Sequence, residues 1–572
     1  MYILGINAFH GDSSAALLKD GVIICAIEEE RFTRIKHWAG FPANSIKYCL
    51  QYENISITDV DYITVSRNTK ANLLAKIIYT LKNRFTFHTI KDRILNFNKI
   101  NTIQFSLEKI FKTKINAQFY NIEHHRSHMS SSFYSSGFES SAILSIDGFG
   151  DFTSTMTAIG NDKNIDVIKT LKYPHSLGVF YTAATQFLGF NNYGDEYKVM
   201  GLAPYGNPRF KKKLLDIIDV NSDGLFRLNK KYFVHFNNGV EMNWDNGSPT
   251  ISKIFNSEWI NLLGFDSRKN LEILDFHKDF ASSVQSITED IVFHILNNLY
   301  KESKDENLCL SGGVAQNSVL NGKILSNTPF KNLYIPSAGH DAGTSIGSAH
   351  FLYHSILKKE RLPRVDTASL GSEYSINEIK SCVESNELEY IEVVDKKLFD
   401  YVSSKIIKGK VVGWFQGRSE FGPRSLGNRS ILVDPRRHDA KQLLNKKIKM
   451  RETFRPFAPS ILQEYVSDYF YCNEIQIPFM EKVYKIKEDK RELIPAVTHV
   501  DGSGRLQTVN KHISPRYHSL ISSFFNKSGV PIILNTSFNE NEPIVNTPQE
   551  ALNCFLRTDM DLLVLGNIII EK

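Results

Sequence analysis

One unit, occurring twice, limits the folds open to this chain more than any other feature. The apolar run Tyr2–Asn7 is followed by a polar, glycine-containing loop, His10–Ser14. A second apolar run, Ser14–Leu18, turns at Lys19-Asp20-Gly21 into a third, Val22–Glu28. The plan returns at Ala142–Asp147, with a Gly/Asp loop at Gly148–Asp151. Thr153–Gly160 then turns through Asn161-Asp162-Lys163-Asn164 into Ile165–Leu171. Each copy reads as strand, loop and hairpin. A loop that leaves a strand this way can turn backbone N–H groups toward an anion.

Further on, the strand Asn307–Ser311 runs into Gly312-Gly313-Val314-Ala315-Gln316-Asn317-Ser318. The strand Leu333–Ile335 runs into Pro336-Ser337-Ala338-Gly339-His340-Asp341-Ala342-Gly343 and then a helix, Thr344–Ile356. Paired glycines let a backbone come close to a ligand, and the helix start favours anionic groups. This duplicated order resembles the nucleotide-binding architecture of actin, sugar kinases and heat-shock ATPases. The expected division is an actin-like (ASKHA-type) domain over 1–357, a polar linker over 358–373 and a second α/β domain over 374–572. In that second domain we expect strands at Tyr390–Val394, Val411–Phe415, Pro531–Asn535 and Leu562–Leu565. Helices are expected at Lys397–Ile407, Ala440–Lys447 and Pro548–Arg557.

With 572 residues, 42% apolar and 23% charged, the chain suits two or more globular domains and not a disordered polymer. The start lacks the basic and apolar regions of a signal peptide, and no run approaches bilayer-spanning length. Six scattered cysteines without a CxxC pair suit reduced thiols and a cytoplasmic setting. The net charge of +6 is unevenly spread. Arg67 to Lys114 holds eleven basic residues against Asp92 and Glu108, which suits a solvated helical face or a patch for nucleic acid or an acidic partner. A second basic stretch, Arg418 to Arg455, is interleaved with Gly and Pro. Guanidinium forks on fixed loops point to anion binding.

The histidines of Glu123-His124-His125-Arg126-Ser127-His128 open a segment that reads as helical to about Ser136. His124 and His128, four apart, project from one helix face. Asp147 ends its strand and Asp341 sits in the second glycine loop. Together, two imidazoles and two carboxylates suit Fe(II), Mn or Zn. His10, in the first loop, either takes a proton from an attacking hydroxyl or hydrogen-bonds backbone.

The motifs HGDSSAALLKDG, EEERFTRIKHW, EHHRSH, DGFGD, GDEYKVMGLAPYG, SGGVAQN and PSAGHDAG resemble, in this order, the O-carbamoyltransferases of antibiotic, toxin and nodulation-factor biosynthesis. GRSEFGPRSLGNRSILVDPR, KMRETFRPFAP, DGSGRLQTV and ILNTSFNENEPIV extend the resemblance to the C-terminal end. It implies a front domain similar to the tRNA threonylcarbamoyladenosine synthase fold and a back domain resembling the threonylcarbamoyl-adenylate synthase fold. Carbamoyl phosphate and ATP, with Mg, would give carbamoyl adenylate in the back domain, releasing phosphate and pyrophosphate. The front domain would then pass the carbamoyl group to a hydroxyl of a small natural-product acceptor. By the same resemblance His124, His128, Asp147 and Asp341 are Fe(II) ligands, and His10 is the base. Gly312, Gly313 and Asn317 belong to the nucleotide pocket. Arg424, Lys449, Arg455, Arg505 and Asn535 meet carbamoyl phosphate and ATP. Glu196 and Lys198 fall in a shared motif without a separate role, and Lys36, His37 and Trp38 flank the acceptor mouth. Neither nucleic acid nor membrane is expected as a partner, and a homodimer is the default oligomer. Two other functions are a tRNA-directed carbamoyl-type transferase and a nucleotide-gated binding module. The fused second domain argues against the first and the His/Asp set against the second.

Overall fold

The computed structural model describes residues 1–82, 102–240, 242–243, 247–267 and 272–572, so part of the basic stretch at 67–114 lies outside the described residues. Two compact units form: residues 1–320 with 324–365, and residues 321–323 with 366–572. The division at 365/366 falls inside the segment read as a linker.

The first unit carries two five-stranded sheets with the same plan. In one, β1 (Tyr2–Asn7), β2 (Ser14–Lys19), β3 (Val22–Glu28), β4 (Tyr62–Val65) and β5 (Gln118–Asn121) stand in the order β3-β2-β1-β4-β5. The other comprises β6 (Ser140–Gly150), β7 (Thr153–Asn161), β8 (Asn164–Lys172), β9 (Asn307–Ser311) and β10 (Asn332–Tyr334). Its order is β8-β7-β6-β9-β10. In both sheets the first three strands form antiparallel hairpins, and the fourth and fifth run parallel to the first. The duplicated actin-like design is therefore present in the strand order itself. Where a Gly/Asp loop is expected after Asp147, β6 instead continues to Gly150, across a break in register between Ile146 and Gly150.

Two helices fix the approach of these sheets. Helix α1 (His124–Phe133) has its first turn capped by Glu123, whose carboxylate accepts from the Arg126 N–H at 2.8 Å. Helix α2 (Thr344–His350) is buried throughout. Small residues let it sit close: a Cβ on Gly5 of β1 would lie 2.0 Å from the Ser345 carbonyl oxygen. One on Gly347 would lie 1.8 Å from that of Ser127 in α1. An alanine at either position would have to push backbone aside, so glycine is required. Beyond His350 the helix widens into π turns over Phe351–Ile356.

The second unit is α/β around one nine-stranded mixed sheet. Its strands are β11 (Ile391–Glu392), β12 (Val412–Phe415), β13 (Arg429–Val433), β14 (Ala458–Leu462), β15 (Lys482–Lys485), β16 (Ser503–Val509), β17 (Ile532–Ser537), β18 (Leu562–Leu565) and β19 (Ile568–Glu571). They stand in the order β11-β19-β18-β12-β13-β17-β14-β16-β15. Helices Asp395–Ile407, Pro515–Ser528 and Pro548–Arg557 cover a core that includes Val402, Trp414, Leu432, Phe524 and Leu563. The strand expected over Tyr390–Val394 shrinks to two residues at the sheet edge. The helix expected over Ala440–Lys447 is α-helical only to Leu443 and then turns wider to Ile448.

Candidate functional site

In the first unit, α1, the end of β6 and the turn before α2 bring four buried side chains together: His124, His128, Asp147 and Asp341. Nε2 of His124 lies 3.1 Å from Oδ2 of Asp147 and 3.5 Å from Oδ1 of Asp341. Nε2 of His128 lies 3.3 Å from each of those oxygens and 3.1 Å from Nε2 of His124. Bonds of ~2.1 Å to one ion would separate neighbouring ligand atoms by about 3.0–3.4 Å, for angles between a right angle and the tetrahedral one. The set therefore fits a divalent cation. Its imidazole and carboxylate donors, without thiolate, suit iron, manganese or zinc.

The surroundings hold these donors in position. The outer oxygen of Asp147, Oδ1, accepts the Gly313 N–H at 3.0 Å, and a Cβ on Gly313 would lie 2.7 Å from it. The His124 ring rests on Gly150, where a Cβ would lie 1.9 Å from Cδ2 of the imidazole. The His124 backbone N–H donates to Asp151 at 3.0 Å. Burial opposes a charge on His128, but hydrogen bonds to Asp147 and Asp341 outweigh it and lift its pKa to about 9. His124, where burial dominates, is pushed below the ordinary range. Asp147 is held well below the usual carboxylate range: burial works against this, and its hydrogen bonds to His124 and His128 overcome it.

His10 joins this cluster through Asp341, whose second oxygen lies 2.6 Å from Nδ1 of His10. Burial disfavours the imidazolium, yet the Asp341 carboxylate prevails and the pKa is raised. A histidine oriented by a carboxylate in this way has the arrangement of a general base. Beside it, Asp12 Oδ1 lies 2.8 Å from Nδ1 of His37, and the His37 N–H donates to Glu30. His37 is raised to about 9, since Asp12 outweighs the effect of burial. Lys36 is exposed.

Gly312, with φ of 97°, and Gly313 turn the chain after β9 past Asp147. Asn317 is engaged otherwise, exchanging amide hydrogen bonds of 2.9 and 3.1 Å with Gln285. Glu196 is half-buried, accepts from Thr182 at 2.6 Å and has a raised pKa, mainly through desolvation. Lys198 pairs with Asp195 at 3.0 Å.

In the second unit the long basic stretch divides by task. Arg429 is fully buried, stacks 3.6 Å above the Phe415 ring and donates to the carbonyls of Gln416, Gly417 and Ser372. Arg418, Arg436 and Arg437 are also tied to protein oxygens. Reading the whole stretch as anion-binding was too broad, because these four side chains close loops. Arg424, Arg451 and Arg455 instead surround Arg505. Burial and then the repulsion of those three arginines hold the Arg505 guanidinium well below its ordinary pKa. The Nε of Arg505 is buried without a hydrogen-bond partner. Burial also lowers Arg424 to about 10, against the opposing pull of Glu481. Four guanidinium groups gather here against the carboxylates of Glu481 and Glu452, the latter 3.5 Å from Arg455, an excess of positive charge suited to a multiply charged anion.

Asn535 donates to the Ser425 carbonyl, Ser460 and Gln507, while its own oxygen is buried and unpartnered. Lys449 is buried and donates to Ser537 and Asn539, at 2.7 and 2.8 Å for the latter, so it braces that loop. Sequence reasoning passed over Arg451, which lies inside a motif already noted.

Residues 2–350 match the family Carbamoyltransferase N-terminus, and residues 403–572 match Carbamoyltransferase C-terminus. The chain is 38% identical over 622 residues to the uncharacterized protein sll1178 of Synechocystis sp., covering 100% of this chain and 97% of that one. It is 38% identical over 574 residues to nodulation protein NolNO of Sinorhizobium fredii, covering 99% and 80%. To the 3'-hydroxymethylcephem-O-carbamoyltransferase of Amycolatopsis lactamdurans it is 32% identical over 260 residues, covering 45% and 47%. With both matches in order along its length, the chain belongs to the carbamoyltransferase family.

Proposed function

We propose that this carbamoyltransferase works in two steps, with activation in the second unit and transfer in the first. The observation that carries the reading is the chemical contrast between its two clusters. One is a guanidinium set suited to phosphates, and the other is an imidazole–carboxylate set joined to a histidine base. A one-step transfer from carbamoyl phosphate would need a single anion site.

In the first step carbamoyl phosphate, ATP and one water become carbamoyl adenylate, phosphate and pyrophosphate. Arg424, Arg451, Arg455 and Arg505 neutralise the phosphoryl oxygens and the charge that grows on the leaving groups. In the second step an acceptor hydroxyl oxygen bonds to the carbamoyl carbon, and the bond from that carbon to the AMP oxygen breaks. His10 takes the hydroxyl proton, and Asp341 steadies the imidazolium that results. His124, His128, Asp147 and Asp341 would hold a divalent metal, with Fe(II) the expected ion. Bound there, it supplies a Lewis acid for the adenylate. Gly312 and Gly313, which bring backbone next to Asp147, suit close passage of the nucleotide.

The acceptor in this reading is a small hydroxylated molecule, and the setting is cytoplasmic; among the described residues no helix is long and apolar enough to cross a membrane. Exchange of labelled pyrophosphate into ATP by the full chain, dependent on carbamoyl phosphate, tests the first step. The variant His10→Gln should keep that exchange and lose transfer. Loss of both activities together, in a folded protein, would remove the division of labour.

A further inference from the structure

The loop that carries His10 has a neighbour to which neither step above assigns a role. Tyr193 lies over Gly11, so close that a Cβ on residue 11 would sit 2.4 Å from the phenolic oxygen and 2.9 Å from Cζ. Glycine at position 11 is thus explained by the phenol above it. The Tyr193 ring is itself fixed, standing edge-on to His37 with centroids 5.3 Å apart. His37 in turn is held by Asp12 at 2.8 Å, by Glu30 at its backbone N–H, and by Gly194. At Gly194 a Cβ would lie 2.4 Å from the imidazole Nε2. Two glycines therefore allow one aromatic hydroxyl to be clamped directly above the loop that bears the base.

The Tyr193 ring is half-buried, and among the described residues no protein group accepts from or donates to its hydroxyl, which leaves that group open to a ligand. A phenol is protonated at neutral pH, so the hydroxyl is a donor. Packing alone would be served equally well by phenylalanine.

We propose that the Tyr193 hydroxyl binds the acceptor substrate, donating a hydrogen bond to an acceptor oxygen next to the hydroxyl that is carbamoylated. The acceptor class that fits is one with neighbouring oxygens, such as a 1,2-diol or a sugar ring. This inference rests on the reading that transfer occurs at the His10 loop.

The test compares full-length wild type with Tyr193→Phe and Gly11→Ala. Each protein is incubated with ATP, carbamoyl phosphate and a panel of methyl glycosides, nucleosides, 1,2-diols and simple alcohols. Products heavier by one carbamoyl group are followed by mass spectrometry. For an acceptor that wild type uses, Tyr193→Phe should raise KM about tenfold, the effect of one uncharged hydrogen bond. Its pyrophosphate exchange, metal content and melting temperature should match wild type. Gly11→Ala, which forces the phenol away, should raise KM at least as much. A KM for Tyr193→Phe within twofold of wild type overturns the assignment while leaving the two-step reading intact. Wild type that exchanges pyrophosphate yet carbamoylates no hydroxyl overturns both.

Discussion

Replacing Gly150 with alanine should empty the proposed metal cluster without substituting any of its ligands. The added Cβ would sit 1.9 Å from Cδ2 of His124. Carbon atoms in contact keep about 3.5–4.0 Å between them, so the imidazole must retreat by roughly 1.6–2.1 Å. Metal–ligand bonds tolerate about 0.2 Å, and the Nε2 atoms of His124 and His128 now stand only 3.1 Å apart. One of the four donors is therefore lost. Affinity for Fe(II) or Mn(II) should fall by at least about a hundredfold, the upper end of what lost support for a ligand costs. Overpacking should also cost ~1–3 kcal/mol of stability. The matched control is Gly148→Ala, two residues earlier in the same strand, where a Cβ would meet nothing within 4 Å. Anaerobic equilibrium dialysis with elemental analysis measures the affinities, and a thermal melt confirms folding. If the Gly150→Ala protein binds metal as tightly as the Gly148→Ala protein, the four residues are not a metal site of the kind argued.

In the arginine cluster, Arg505→Gln relieves repulsion from Arg424, Arg451 and Arg455. The ligand-free variant should be ~1–2 kcal/mol more stable in urea and inactive in pyrophosphate exchange; a less stable variant would contradict the repulsion. Glu481 is lifted to about 7, chiefly by burial, with Lys482 opposing. Its folded form holds a proton more tightly than the unfolded chain, so its contribution falls as pH rises from about 4.3 to about 7. Glu481→Gln should therefore match wild type near pH 4 and exceed it by up to ~3 kcal/mol at pH 8; parallel stability curves would refute this. Lys449→Met strips a buried cation from the oxygens of Ser537 and Asn539 and should cost ~2–4 kcal/mol. An unchanged urea midpoint would show that this loop needs no brace.

Hairpins were the most legible part of the sequence. Their apolar runs and tight turns, Lys19-Asp20-Gly21 and Asn161-Asp162-Lys163-Asn164, are local signals, and the strands end within two or three residues of where those signals end. The second unit was harder to read. Strands Arg429–Val433 and Ser503–Val509 open with arginine, serine and glycine, which resemble loop, yet their side chains are largely buried against the sheet. A buried structural arginine such as Arg429 has the same composition signal as one awaiting a phosphate. Only the positions of Phe415 and the surrounding carbonyls tell them apart. The four-residue His/Asp set was accessible because His124 and His128 share a helix face, while Asp147 lies late in β6 and Asp341 in the glycine-rich turn before α2, segments that the duplication brings together. Tyr193 had no such regularity, being placed by an irregular loop and two glycines.

The four residues proposed to hold a metal come from three segments, and Asp341 lies far along the chain from His124, His128 and Asp147. In the unfolded polymer all four would almost never meet, so nearly all the affinity for a bound ion would belong to the native state. Free energy of binding then becomes free energy of folding, growing as RT ln(1 + [metal]/Kd). The melting temperature of the first unit should climb with metal concentration, and a cell short of the ion would hold a less stable, more protease-sensitive enzyme. Supply of the ion would then set how much of the protein survives as well as how fast it works.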